Sequence, residues 1–327
     1  MTDSIEKSFG IVLKHFRELN MLTQDDFSSV IDRTYFSELE RGLKSPTLKT
    51  IDKISQKLNI HPTLLVSLAY SIKEGNNYLK SLSNLEFDVN KSKIANFKYH
   101  EDNSFNPEDI LKSIKQTNEI IVIFNNIFKQ ATKTRLFEVI DKKQTGAFLG
   151  AIFVDFMAKN CDYLVKNPSQ TGHPDLIPSK YKYGQEKVNW DQFPYGGIEA
   201  KTSSGDLKTG KTYELKIGEP RIDYITNVVW KGHHQEINNL LALYWDYYKG
   251  PPAFLGCFYS NNLVPNDFTN TVPQPSGGHT TSVCITKKSA RDKLMKDWVA
   301  VAKIGKYEKL FEKFGALNKA KKSALKP

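Results

Sequence analysis

The chain has 327 residues, 39% of them hydrophobic and 12% aromatic, which is enough for two cored domains and excludes a chain disordered throughout. Its formal charge of +10 favours polyanionic partners, and residues 287–327 alone hold 13 Lys/Arg against 4 Asp/Glu; a solvated lysine-rich helix with a frayed tail from Leu317 onward is an equal reading of that excess. Three cysteines (Cys161, Cys257, Cys284) without C-x-x-C spacing argue against a disulfide framework or a cysteine zinc site and fit a reducing cytoplasm, while the absence of an apolar leader or a long apolar run argues against a signal peptide and a membrane span.

In chain order, Ile5, Phe9, Val12, Leu13 and Phe16 share one face of a first helix. Thr23 is the N-cap expected of a second helix with Asp25 and Asp26 in its first turn. Asp32–Arg41 reads as a third helix stopped by Gly42. Ser45-Pro46-Thr47 opens a fourth, with Leu48, Ile51, Ile54 and Leu58 as its apolar stripe, and a last short helix holds Leu64, Leu65 and Leu68. Residues 1–70 thus form an all-α unit, and the polar stretch 71–106 reads as a linker with some structure of its own. A second domain, 107–327, starts at the helix signature Asn106-Pro107-Glu108-Asp109. Helices are expected to about Lys166, strands at 174–178, 195–203 and 212–217, a helix from His234 to Tyr248, a strand from Ala253 to Tyr259, and helix from Lys288 to Phe314. That order predicts an α/β domain with a mixed sheet flanked by helices. No internal repeat is present.

The N-terminal unit resembles the Cro/CI-type (XRE) helix-turn-helix family. The resemblance rests on Leu22-Thr23-Gln24, on Arg33-Thr34-Tyr35-Phe36-Ser37-Glu38-Leu39-Glu40-Arg41-Gly42, and on Pro46-Thr47-Leu48 with Ile54 and Leu58. It implies binding of double-stranded DNA, with Phe36 and Leu39 packed inward and Arg33, Thr34, Ser37, Glu38 and Lys44 turned to the groove. Gln24, at a helix N-terminus, suits a phosphate contact. The chain departs from the family between Phe27 and Ser37, where it is about two residues short and lacks the turn glycine. The turn before the third helix must therefore differ. A bundle used only for dimerisation or docking is the competing reading.

Acid-x-lysine triplets occur four times: Asp141-Lys143, Asp206-Lys208, Glu214-Lys216 and Glu199-Ala200-Lys201. Only the last follows Gly196-Gly197-Ile198, as a strand does that starts abruptly against other backbone. Side chains alternate along a strand, so Glu199 and Lys201 share a face. Asp175, in Gly172-His173-Pro174-Asp175, supplies a second carboxylate from a neighbouring strand, and Asp191, separated from Glu199 by seven residues, is its rival. Two carboxylates and a lysine suit phosphodiester hydrolysis, because Mg²⁺ takes one or two carboxylates plus waters and phosphate oxygens. The Ala200 carbonyl could add a ligand, and Lys201 could orient water or steady charge on the phosphate. An ordinary surface hairpin with ion pairs is the structural alternative. His233-His234-Gln235-Glu236 lacks the spacing of a zinc site and reads as a helix N-terminus touching DNA or solvent.

Pro174-Asp175 with Glu199-Ala200-Lys201 is similar to the signature of the PD-(D/E)xK nuclease superfamily as used by type II restriction endonucleases. That resemblance implies a Mg²⁺-dependent, site-specific double-strand endonuclease acting as a homodimer without a small-molecule cofactor. It also implies an acid from an earlier helix, for which Asp155 is the candidate. A looser likeness to ApaLI-like restriction enzymes runs through Val228–Glu236, Leu240–Asp246 and Gly277–Val283. The alternatives are a transcriptional regulator with a ligand-sensing or oligomerising second domain, and a repair nuclease selective for structure.

Overall fold

The computed structural model describes residues 4–75, 85–90, 98–100, 103–104, 106–181, 188–204, 222, 228–231, 239–273, 282–313 and 315–317. The chain divides into two compact units, residues 1–84 with 122–136, and residues 85–121 with 137–327. The helix Pro107–Thr132 therefore starts in the second unit and ends in the first.

The first unit is built from α1 (Ile5–Leu19), α2 (Arg33–Glu40), α3 (Leu48–Leu58) and α4 (Pro62–Lys73). Phe9, Val12, Leu13 and Phe16 are buried from α1, as their spacing predicts, and Phe27 stacks on Phe36 with centroids 4.2 Å apart. Close approach of α1 to the end of α2 depends on Gly10, where a Cβ would lie 2.6 Å from the Leu39 carbonyl oxygen. Two expectations fail here. The helix opened by Thr23 is only a 3-10 turn, Asp25–Phe27. Thr23 does not cap it; the Asp26 carboxylate accepts from both the Thr23 N–H (2.7 Å) and hydroxyl (2.8 Å). Phe27 then takes the amides of Val30 and Ile31 in a turn that leads straight to Asp32, the true N-cap of α2. Leu48 does not join the α3 stripe: it is the first residue of the helix and 83% exposed.

The second unit contains β1 (Phe87–Val89), β2 (Lys98–His100), β3 (Asn103–Ser104), β4 (Leu164–Lys166), β5 (Leu176–Pro178), β6 (Glu199–Ser203), β7 (Val229–Lys231), β8 (Leu240–Tyr247), β9 (Pro252–Ser260), β10 (Val272–Pro273), β11 (Ser282–Ile285) and β12 (Trp298–Ala302). The main sheet runs β1-β12-β9-β8-β6, antiparallel except for the parallel pair β6–β8. Residues 240–247 are thus a strand where a helix was expected. Every residue of β8 and β9 is buried, and a strand covered on both faces loses the alternation that distinguishes it from a helix. For the same reason the expected C-terminal helix is two helices, Lys288–Lys296 and Gly305–Lys313, separated by the fully buried β12. The segment ending near Lys166 closes with β4 rather than helix, and residues 87–89 of the expected linker are a sheet strand. The expected strand at 212–217 lies outside the described residues.

β9 carries a one-residue bulge. Tyr244 pairs with Gly256 and Trp245 with Phe254, leaving Leu255 over. Asn118 takes up the freed backbone, donating to the Phe254 carbonyl (3.1 Å) and accepting from its N–H (2.7 Å). The next residue, Glu119, is buried, and burial pushes its carboxyl from 4.5 up to about 8 against the pull of Lys115. The folded state keeps this proton where an unfolded chain gives it up. The resulting stability is complete below pH 4.5 and is lost as the pH rises toward 8. Glu119→Gln should therefore leave thermal stability at pH 5 nearly unchanged and raise it at pH 9, read as a higher melting midpoint.

Candidate functional site

The short antiparallel contact between β5 and β6 assembles the carboxylates. Leu176 and Ile198 exchange backbone hydrogen bonds of 3.1 and 2.8 Å, which sets Asp175 opposite Glu199. Opposed residues of antiparallel strands point to one side, with Cβ atoms about 5 Å apart. The Ala200 N–H donates to the Asp175 carboxylate at 2.9 Å. A strand residue sends its N–H and C=O toward the same neighbour, so the Ala200 carbonyl also leaves on the Asp175 side. Glu199 is 3% exposed and its N–H donates to Asn239 in the connection to β8. Asn167 holds the Asp175 loop from behind, donating to the Pro174 carbonyl (3.1 Å) and the Trp190 carbonyl (2.8 Å).

Gly197 makes this approach possible. Its φ is +137°, and a Cβ there would strike the Leu176 carbonyl oxygen and lie 2.5 Å from Pro174 Cγ. Gly197→Ala should push β5 off β6, separate Asp175 from Ala200, and cost at least about 2 kcal/mol in denaturant unfolding.

Parity along the sheet decides which acids meet. The Thr202 hydroxyl donates to the Gly146 carbonyl (2.9 Å), and Gly146 and Gly150 admit Thr202 against the helix Lys142–Asn160. Thr202 therefore faces that helix, and Glu199 and Lys201 face the other way. Register with β8 agrees: Glu199 and Lys201 align with Leu240 and Ala242, on the face where Asp246 accepts from the Tyr307 hydroxyl at 2.9 Å. Asp155 sits on the helix at the opposite face, so the expected third acid does not complete this site. Its carboxylate is held by Lys159 (2.6 Å) and Lys166 (3.4 Å), and the Lys159 bond keeps it below the usual carboxylate range. The rival Asp191 is occupied by the hydroxyls of Ser169 (2.5 Å) and Thr171 (3.3 Å), which lie in the connection from β4 to β5. Among the described residues no three His, Cys, Asp or Glu side chains form a group that could hold a metal ion.

In the first unit, α2 presents Arg33 and Thr34 exposed and Ser37 and Glu38 half-exposed, while Phe36 and Leu39 are fully buried. Arg33 pairs with Asp25 (2.7 Å) and Lys44 with Glu38 (2.8 Å). A helix-turn-helix family model matches residues 13–65. Residues 13–65 form an XRE-type helix-turn-helix domain. Neither the curated proteins nor the solved structures gave a match.

The match supports DNA binding and covers the first unit only. Within this helix-turn-helix domain the Gln24 amide donates to Glu40 Oε2 at 2.6 Å, so its side chain is committed to the bundle rather than presented to a phosphate. Residues 4–75 hold ten Lys/Arg and nine Asp/Glu, so the basic excess of the chain lies elsewhere. His233, His234 and Gln235 lie outside the described residues. The three cysteines are free and buried, and no described helix is long and apolar enough to cross a membrane. Sequence reading missed the Gly146/Gly150 seat for Thr202; the spacing of two glycines one turn apart was the available signal.

Proposed function

We propose that this chain is a DNA endonuclease whose helix-turn-helix domain binds double-stranded DNA and whose second unit hydrolyses phosphodiesters with Mg²⁺. The observation that carries the reading is Asp175 bonded to the Ala200 N–H opposite Glu199, with Lys201 on the same face. Two carboxylates and a carbonyl directed to one side are a donor set that Mg²⁺ accepts when waters and phosphate oxygens fill the remaining positions. Asp175, Glu199 and the Ala200 carbonyl would hold the ion, which when bound supplies charge neutralisation and an activated water. Lys201, two residues along the same strand face, would hold a phosphate oxygen near the scissile bond. Cutting both strands of a palindromic site calls for two copies related by a two-fold axis, so the proposal includes a homodimer of the restriction-enzyme type.

Incubation of the purified chain with plasmid and Mg²⁺ tests this directly. Discrete fragments, lost on chelation, support a site-specific enzyme. Irregular nicking supports a structure-selective nuclease in its place. DNA binding without cutting overturns the reading in favour of a regulator with a non-catalytic second unit.

A further inference from the structure

Two tyrosines lie where the strand pair of the candidate site runs out. Lys180 and Tyr181 follow the end of β5 at Pro178, and Tyr195 precedes Glu199 by four residues. The Tyr181 and Tyr195 rings stack with centroids 5.2 Å apart and planes at 7°. Phe193 braces both edge-on, at 5.0 and 5.5 Å, and Trp190 stacks on Phe193 at 5.7 Å. The Lys180 ammonium stands 5.4 Å from the centre of the Tyr181 ring.

Core packing accounts for Phe193, which is buried, but not for Tyr195, which is 46% exposed. One face of that ring rests on Tyr181, so the ring is immobilised and still presents apolar surface to water. A rigid aromatic ring beside a cation is a ready seat for a nucleobase and its phosphate, since every base has a π-face. Four residues of extended chain reach at most about 13 Å from Tyr195 to Glu199, which is about four nucleotide steps at ~3.4 Å each.

We propose that Tyr181 and Tyr195, with Lys180, form a stacking platform for unpaired bases of a DNA strand whose backbone continues to the Asp175–Glu199 face. The choice of DNA rests on the nuclease reading; the platform adds the form of the substrate. Bases inside a duplex are already stacked on each other, so the platform takes bases turned out of the stack near the cut, which a single strand offers freely and an intact duplex does not.

The test uses the full chain with a labelled single-stranded DNA oligonucleotide and a blunt duplex of the same sequence, in EDTA so that nothing is cut. Tyr195→Ala is expected to weaken single-strand binding about tenfold, while Tyr195→Phe stays within about twofold of the native chain and duplex binding is unchanged in both. An unaltered circular-dichroism melt of Tyr195→Ala excludes misfolding as the cause. Single-strand binding that is equally tight in Tyr195→Ala, or absent from the native chain, overturns the proposal. Failure of the nuclease reading registers separately, as single-strand binding that depends on Tyr195 in a chain that does not cut with Mg²⁺.

Discussion

Glu199→Ala protein should bind duplex DNA as the native chain does and lose Mg²⁺-dependent cutting by more than about a hundredfold, since even partners one shell removed from a metal cost 10–100-fold. Asp175→Asn should do the same, because the amide that replaces the carboxylate carries no charge for the cation and can still meet the Ala200 N–H. Asp155→Ala and Asp191→Ala serve as internal controls. The first carboxylate lies on the other face of the sheet with two lysines, and the second is bound by hydroxyls of the connection from β4 to β5. Both variants should cut at close to the native rate. Plasmid cleavage read on a gel against gel-shift binding separates these outcomes, and cutting by Glu199→Ala protein would remove the assignment.

The largest stability effect is expected at Glu40. Its side chain is 4% exposed and that of Arg17 12%. Arg17 donates to it through Nε at 2.6 Å and Nη2 at 3.3 Å, and Gln24 adds a third bond at 2.6 Å. Arg17 also donates from Nη1 to the Leu22 carbonyl (2.9 Å), so one ion pair ties α1, the turn after it and the end of α2 together. Removing one member of such a buried pair leaves the other charge stranded, at about 3–5 kcal/mol. Glu40→Ala should therefore unfold the helix-turn-helix domain at a much lower denaturant concentration and abolish duplex binding. If its unfolding midpoint matches that of the native chain, the pair is not what holds the domain.

The helix-turn-helix was legible because its signals are local. The start of α2 at Asp32, the stop at Gly42 and the apolar face of α1 each span only a few residues and appear in the structure at their expected places, whereas the cap expected at Thr23 does not. The second unit was legible in class but not in detail. Leu240–Tyr247 and Trp298–Ala302 lie in strands buried on both faces, and a continuous apolar run carries no period from which to tell strand from helix. β1 was hidden for a different reason: three residues from a polar stretch become a strand only because β12, some two hundred positions later, offers them an edge. For the candidate site, the pairing of Asp175 with Glu199-Ala200 could be anticipated from Gly197, but which acids share a face could not. That depended on Thr202 seating against Gly146 and Gly150, a contact between segments 56 residues apart.

The three-residue turn Asp25–Phe27 has a consequence for how the domain meets its partner. A full helix there would align enough peptide dipoles to set roughly half a positive charge at its N-terminus; a single turn aligns few. With acidic and basic side chains nearly balanced across residues 4–75, little field extends beyond the domain surface. The net charge of this segment therefore adds little long-range pull on DNA, and steering falls to the basic excess elsewhere in the chain. Discrimination by the domain rests on dissociation, where a well-fitted complex outlasts a poorly fitted one.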